Sequence, residues 1–200
     1  MTMETSGEGV GATAQEVADL LLWIGMRGFV DRSELERRGA AAELLPRLVA
    51  DGLLQLDGEF VLLTPEGDSD LTIRLRRLAE VDQTGLGAFF SRFEEMDKEL
   101  KFLATDWQNI RPRAEDDPDA LMTVVERWIA LHGRLKVAVA GSSSAARLLA
   151  ARVELLSAAR RGFDDGDWDR FTGIGEDSYH SAWFAMHEVL LRALGMERPK

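Results

Sequence analysis

The chain has 200 residues, a formal net charge of −11, five tryptophans, nine phenylalanines and no cysteine. Its apolar content can offset the entropy of ordering a sizeable core. The missing cysteine excludes disulfide scaffolds, thiolate zinc sites and thiol catalysis, so any metal would have to use His, Asp or Glu. Up to Asp70 there are five Lys or Arg against fourteen Asp or Glu, and beyond it nineteen against twenty-one, so the N-terminal part carries the acidity.

Residues 1–12 are rich in Gly, Ser, Thr and Glu without a periodic apolar face, which predicts a mobile tail. They contain neither the basic segment nor the apolar run of a secretory leader. The most apolar stretch, Leu131 to Leu149, is broken by His132, Arg134, Lys136 and Gly141. An aqueous, cytoplasmic setting without a membrane partner is expected.

Thr13 with Glu16 three residues on has the pattern of a capping box. It opens a helix through Val17, Leu20, Leu21 and Ile24 that Gly25 and Gly28 should loosen. Asp31 and Ser33 suggest a short second helix that stops near Gly39. Ala40 to Asp51 should form a third, with Leu44, Leu45, Leu48 and Val49 inward. The period then becomes extended: two apolar runs, Leu53–Leu56 and Glu59–Leu63, flank Asp57-Gly58, a pair suited to a tight primed turn. Three short helices followed by a hairpin are the organisation of a winged helix, assigned here to residues 13–70. The segment Thr64-Pro65-Glu66-Gly67 should return the chain towards a connecting segment.

Beyond it the pattern is helical throughout. A linker helix is expected over Leu71–Val81 within residues 71–84, interrupted before Gly85 and Gly87, and an all-helical bundle over residues 85–198. Leu86, Phe89, Phe90, Phe93, Met96, Leu100, Leu103 and Trp107 recur every three or four residues as the core face of a long helix. Glu94 with Lys98 and Asp97 with Lys101 are read as charge pairs on its outward side. Asn109–Pro118 reads as a loop. A further helical region carries Val124, Val125, Trp128, Leu131, Leu135 and Val139, with a break near Gly141–Ser144. Ala145–Arg161 is its second piece, Phe163–Gly175 is aromatic and turn-rich, and a last helix starts at Asp177 or Ser178 and ends near Gly195. The fold class predicted is therefore mainly α: a winged helix with a short β-hairpin, then a helical bundle.

A winged helix reads duplex DNA with one helix in the major groove and the wing near the backbone. Residues 40–51 hold the place of that helix, with Arg47 its one cation. The basic candidates for DNA contact are Arg32, Arg37, Arg38 and Arg47, joined by Arg74, Arg76 and Arg77 from the linker. Glu43, Asp51 and the acidic wing tip Asp57-Gly58-Glu59 oppose phosphate attraction. The same head could instead pack against a protein partner or another subunit.

In the helical part, aromatic walls from Trp107, Trp128, Trp168 and Trp183 could enclose a small-molecule effector. Gln108, Arg111, Arg113, His132, Asp177, Tyr179, His180 and His187 would be its polar contacts. The simpler reading of the same residues is core tryptophans with satisfied structural histidines. His180 and His187, seven residues apart, can project from neighbouring turns into one region. They are the weak candidates for a metal, completed by His132, Asp177 or Glu188, although the spacing is far less specific than a metalloprotease helix motif. Asp177, Ser178 and His180 lack a strand-turn nucleophile site, and no phosphate-cradling glycine loop is present. No catalytic set and no cofactor are therefore assigned, and a metal- or small-molecule-dependent enzyme is a remote alternative.

The stretches FFSRFEEMDKELKFLATDWQ and FTGIGEDSYHSAWFAMHEVL resemble a helical domain of uncharacterised actinobacterial regulators that carry a MarR-like winged-helix head. Leu63-Thr64-Pro65-Glu66-Gly67 resembles the segment that follows the wing in that class. The resemblance implies transcriptional control and a homodimer. It places the recognition helix at Ala40–Ala50 and the wing at residues 56–60, and it names neither a ligand nor a reaction.

Overall fold

The computed structural model describes residues 13–173, 175 and 178–196, with the backbone alone for residues 40 and 41. The expected tail, residues 1–12, and Asp177 lie outside the described residues. The fold is mainly helical with one small antiparallel sheet, and the chain divides into two compact units, Met1–Arg74 and Leu75–Lys200.

In the first unit α1 (Ala14–Arg27) starts at the capping box, with the Glu16 amide donating to the Thr13 hydroxyl at 3.2 Å and the Thr13 amide donating to the Glu16 carboxylate at 2.7 Å. Gly25 does not loosen this helix, which runs on to Arg27 and ends at Gly28. A strand absent from the sequence expectation follows, β1 (Phe29–Asp31). Asp31 then caps α2 (Arg32–Glu36) by accepting from the Ser33 amide at 2.8 Å. Next come α3 (Ala40–Ala50), β2 (Leu54–Asp57) and β3 (Phe60–Leu63). The sheet order is β1-β3-β2, with Val30 opposite Val61 and Leu56 opposite Val61 on the other side. Between β2 and β3 the turn has a positive φ at Gly58 alone (59°), the requirement of a primed turn with glycine first. Val17, Leu21, Ile24, Leu35, Leu48 and Val61 are buried together as the core of this unit.

The segment after β3 does not loop away. The Thr64 hydroxyl donates to the Gly52 carbonyl at 2.7 Å and accepts from the Gly67 amide at 2.9 Å, so it opens α4 (Pro65–Ala79) six residues before the expected linker helix. A Cβ on Gly67 would lie 2.1 Å from the Leu53 carbonyl oxygen, which makes glycine the residue that fits this crossing.

The second unit is built on α5 (Gln83–Ile110), α6 (Pro118–Ala140), α7 (Ser143–Asp164), the single turn α8 (Asp169–Thr172) and α9 (Tyr179–Leu194). Gly85 and Gly87 lie inside α5 rather than before it, because Asp82 caps the helix by accepting from the Gly85 amide at 2.9 Å. The break between α6 and α7 falls at Gly141-Ser142. The Ser142 hydroxyl accepts from the Ala145 amide at 3.3 Å and donates to Asp82 at 3.1 Å, tying the hairpin corner to the start of α5. Ser178 caps α9, and Gly195 ends it in the left-handed region at φ 68°. The periodic apolar positions of α5, α6, α7 and α9 are buried against one another, so the bundle core is the one their spacing predicts. Among the described residues no helix is long and apolar enough to cross a membrane.

Candidate functional site

Four of the predicted site residues of the second unit, Trp107, Trp128, Trp168 and Tyr179, belong to one aromatic cluster. Trp128 is at its centre: it stacks on Phe171 (4.1 Å between centroids, 22° between planes) and meets Phe163 and Tyr179 edge-on, each at 4.9 Å. Trp107 is edge-on to Phe163, Trp168 and Phe171 at 5.3, 5.8 and 5.6 Å. Trp107, Trp128, Phe171 and Tyr179 are buried, whereas Trp168 lies at the partly exposed rim. Long aromatic residues at core positions of α5 and α6, together with the Phe163–Trp168–Phe171 run that crosses from α7 to α8, produce this packing. Such edge-to-face pairs add stability beyond the area they bury.

A polar chain leaves the cluster at Tyr179. Its phenol lies 3.2 Å from His132 Nδ1, and His132 Nε2 lies 3.5 Å from the Ser157 hydroxyl, which donates to the Val153 carbonyl at 2.8 Å. Burial raises the Tyr179 phenol far above the usual range, so it stays protonated and donates to His132. Burial, then the cations Lys136 and Arg160, hold the His132 imidazole below its ordinary value, so the ring is neutral with its proton on Nε2. Ser157 thus spends its own proton on the Val153 carbonyl in the preceding turn of α7. The chain Tyr179–His132–Ser157 ties α9, α6 and α7 together.

That protonation preference has a measurable consequence. The unfolded chain binds a proton at His132 near the ordinary imidazole value of 6.5, and the folded chain only at lower pH. Stability from this group is therefore complete above about pH 6.5 and declines as the pH falls below it. His132→Gln, which keeps an acceptor and cannot titrate, is expected to flatten the melting temperature between pH 7 and about pH 5. An unchanged slope in that variant would assign the pH dependence to other groups.

The other predicted site residues divide clearly. Trp183 stacks on Phe93 at 4.8 Å and donates its indole N–H to Asp97 at 2.9 Å, while Lys101 pairs with the same carboxylate at 2.7 Å. Asp97 is therefore buried, correcting its assignment to the outward face. His187 packs against Phe93 and Phe90, with ring centroids at 5.4 and 6.1 Å, whereas His180 is exposed, so the two imidazoles do not share one environment. Gln108 and Arg113 are exposed as well, and Arg111 pairs with Asp169 at 2.7 Å to tie the end of α5 to α8. Among the described residues no three His, Asp or Glu side chains gather as metal ligands. No family model, curated protein or solved structure matches the chain.

In the first unit, Arg32 pairs with Glu36 at 3.1 Å and Arg47 with Asp51 at 3.6 Å, and Arg74 pairs with Asp70. Arg37 donates to the Ser33 hydroxyl at 3.3 Å, and the Arg38 guanidinium lies 3.8 Å over the Trp23 ring. Of the two remaining linker cations, Arg77 is exposed. Arg76 rests on the cap of α9, where a Cβ at Gly195 would lie 3.1 Å from its Nη2, a position in which a cation complements the helix dipole. On α3 the outward residues are Glu43, Pro46, Arg47 and Ala50. The outer face of the sheet carries an exposed aromatic pair that the sequence reading did not single out: Phe29 and Phe60, 56% and 45% exposed, are edge-to-face at 5.0 Å. Asp31 and Asp57 stand opposite Phe60 on either side of it.

Proposed function

We propose that this protein is a homodimeric transcriptional regulator whose first unit is a winged helix that presents α3 to duplex DNA, and whose helical unit senses an effector. The observation that carries this reading is topological. The order α1-β1-α2-α3-β2-β3, with β3 paired between β1 and β2, has a helix immediately before a two-stranded hairpin, which supports the winged-helix reading. Arg47 lies at the middle of the outward face of α3. Its pair with Asp51 is solvent-exposed and cheap to exchange for a phosphate or a base edge. For the helical unit, the buried indole N–H of Trp107 has no hydrogen-bond partner among the described residues, and a buried donor of that kind suits a polar ligand atom.

The test is retardation of the gene's own upstream duplex at two salt concentrations. Specific binding that weakens as salt rises is expected, and Arg47→Ala should cost about 1–3 kcal/mol of it with the fold retained. Absence of specific binding at low salt, to upstream DNA and to a genomic fragment pool alike, rejects the DNA reading.

One observation favours a second reading, a winged-helix module that docks on protein. The Phe29–Phe60 pair between Asp31 and Asp57 is an apolar surface with an acidic rim, which repels phosphate and suits an apolar patch flanked by Lys or Arg.

A further inference from the structure

The strand register fixes what the outer face of the sheet presents. Asp31, Phe60 and Asp57 stand side by side in one row across β1, β3 and β2, and Phe29, Leu62 and Gln55 form the next row. Directly paired residues point to the same side of a sheet, and the alternate residues Val30 and Val61 are buried on the other side. Phe29 and Phe60 meet along the diagonal, and about half of each ring is open to water. The Ser33 hydroxyl and amide hydrogen-bond to the Asp31 carboxyl and hold it below the usual carboxylate range, with Arg37 a smaller influence in the same direction. Asp57 is exposed at the end of β2.

We infer that this face docks an amphipathic helix of another protein, one that carries apolar residues between two Lys or Arg seven positions apart. Neighbouring strands are about 4.8 Å apart, so Asp31 and Asp57 flank Phe60 across about 9.6 Å of sheet. One face of a helix repeats at three, four and seven residues, and seven residues rise about 10.5 Å. A helix lying across the strands therefore brings cations at i and i+7 over the two carboxylates, and apolar residues at i+3 and i+4 onto Phe60 and Phe29. An extended partner does not match, because its same-face spacings are about 6.6 and 13.2 Å. Charge selects among the occupants too. Duplex DNA, or the same face of a second copy, would bring negative charge onto the two carboxylates.

This inference rests on the protein-docking reading of the head and is tested without DNA. The probe is a fluorescently labelled helical peptide with Lys at i and i+7 and Leu at i+3 and i+4, on a background of Ala and Gln. A second peptide has Glu in place of both Lys. By fluorescence anisotropy with the full-length protein, the Lys peptide is expected to bind about 10-fold more tightly, or better, than the Glu peptide. Phe29→Ala and Phe60→Ala should each weaken it about 10-fold, with the fold retained by circular dichroism because both rings are already exposed. Asp57→Lys should weaken it by a similar factor, and a peptide with Glu at one of its two ends should recover the loss. Equal binding of the two peptides, still lost in Phe60→Ala, would overturn the charge pattern and leave the docking reading in place. No binding of either peptide would overturn both. A dimer of the chain alone that dissociates in Phe60→Ala would give this face to a second copy and overturn the inference.

Discussion

Trp128→Ala is expected to destabilise the helical unit by about 3–5 kcal/mol, the largest effect of any single truncation in the aromatic cluster. The indole is fully buried, stacks on Phe171 and meets Phe163 and Tyr179 edge-on. Its loss opens a cavity bordered by α7, α8 and α9 at once, and rigid rings close such a cavity poorly. Tyr179 would lose a neighbour as well, and with it the fixed position from which its phenol reaches His132. Chemical denaturation reads the effect directly. Phe102→Ala is the control, because that ring lies on the exposed face of α5 and its removal should change stability by less than about 0.5 kcal/mol. A Trp128→Ala protein within 1 kcal/mol or so of wild type would mean that the cluster is not the core of this unit.

Asp97→Ala is the second large effect, about 1–3 kcal/mol, with a different cause. The carboxylate accepts the Trp183 indole N–H inside the bundle, so its removal leaves a buried donor without an acceptor. The ion pair with Lys101 contributes little, because the lysine side chain is mostly in water, and Lys101→Met should be nearly silent. Asp97→Ala should therefore cost clearly less in a Trp183→Phe background, where no donor is left to satisfy, and thermal unfolding of the four proteins measures that coupling. Equal costs in both backgrounds would show that the Asp97–Trp183 bond is not the source of the penalty.

Asp97 also illustrates where sequence reasoning stopped. Spaced four residues from Lys101, it has the signature of a solvent-facing pair, and the pair does form. Its second partner lies 86 residues away on α9, beyond the reach of any local pattern. The same holds for the chain from Tyr179 to His132 to Ser157, whose links span 47 and 25 residues. Local chemistry was far more legible. Thr13 and Glu16 mark the start of α1, and Asp57-Gly58 marks the turn between β2 and β3. The three- and four-residue recurrence from Leu86 to Trp107 marks the buried face of α5. Two elements escaped for identifiable reasons. At three residues, β1 is too short to show an alternation and becomes a strand through its partner β3. Gly85 and Gly87 resemble a helix break, yet an Asp82 cap opens α5 ahead of them.

The exposed apolar residues of α6, Met122, Ile129 and Val137, could not be separated from its core face until Trp128 and Leu131 were seen buried. Likewise, the candidate arginines of the first unit are identifiable by type, but their local partners Glu36 and Asp51 decide how much charge each presents.

Amide chemical-shift mapping of the full-length, isotopically labelled protein, titrated with its upstream duplex, tests the proposed regulator most directly. The winged-helix reading predicts shifts concentrated on α3 from Glu43 to Ala50 and on the turn at Gly58, growing smaller as salt is added. Amides of α3 that stay unchanged while DNA is bound, or a complete absence of shifts at low salt, would contradict it.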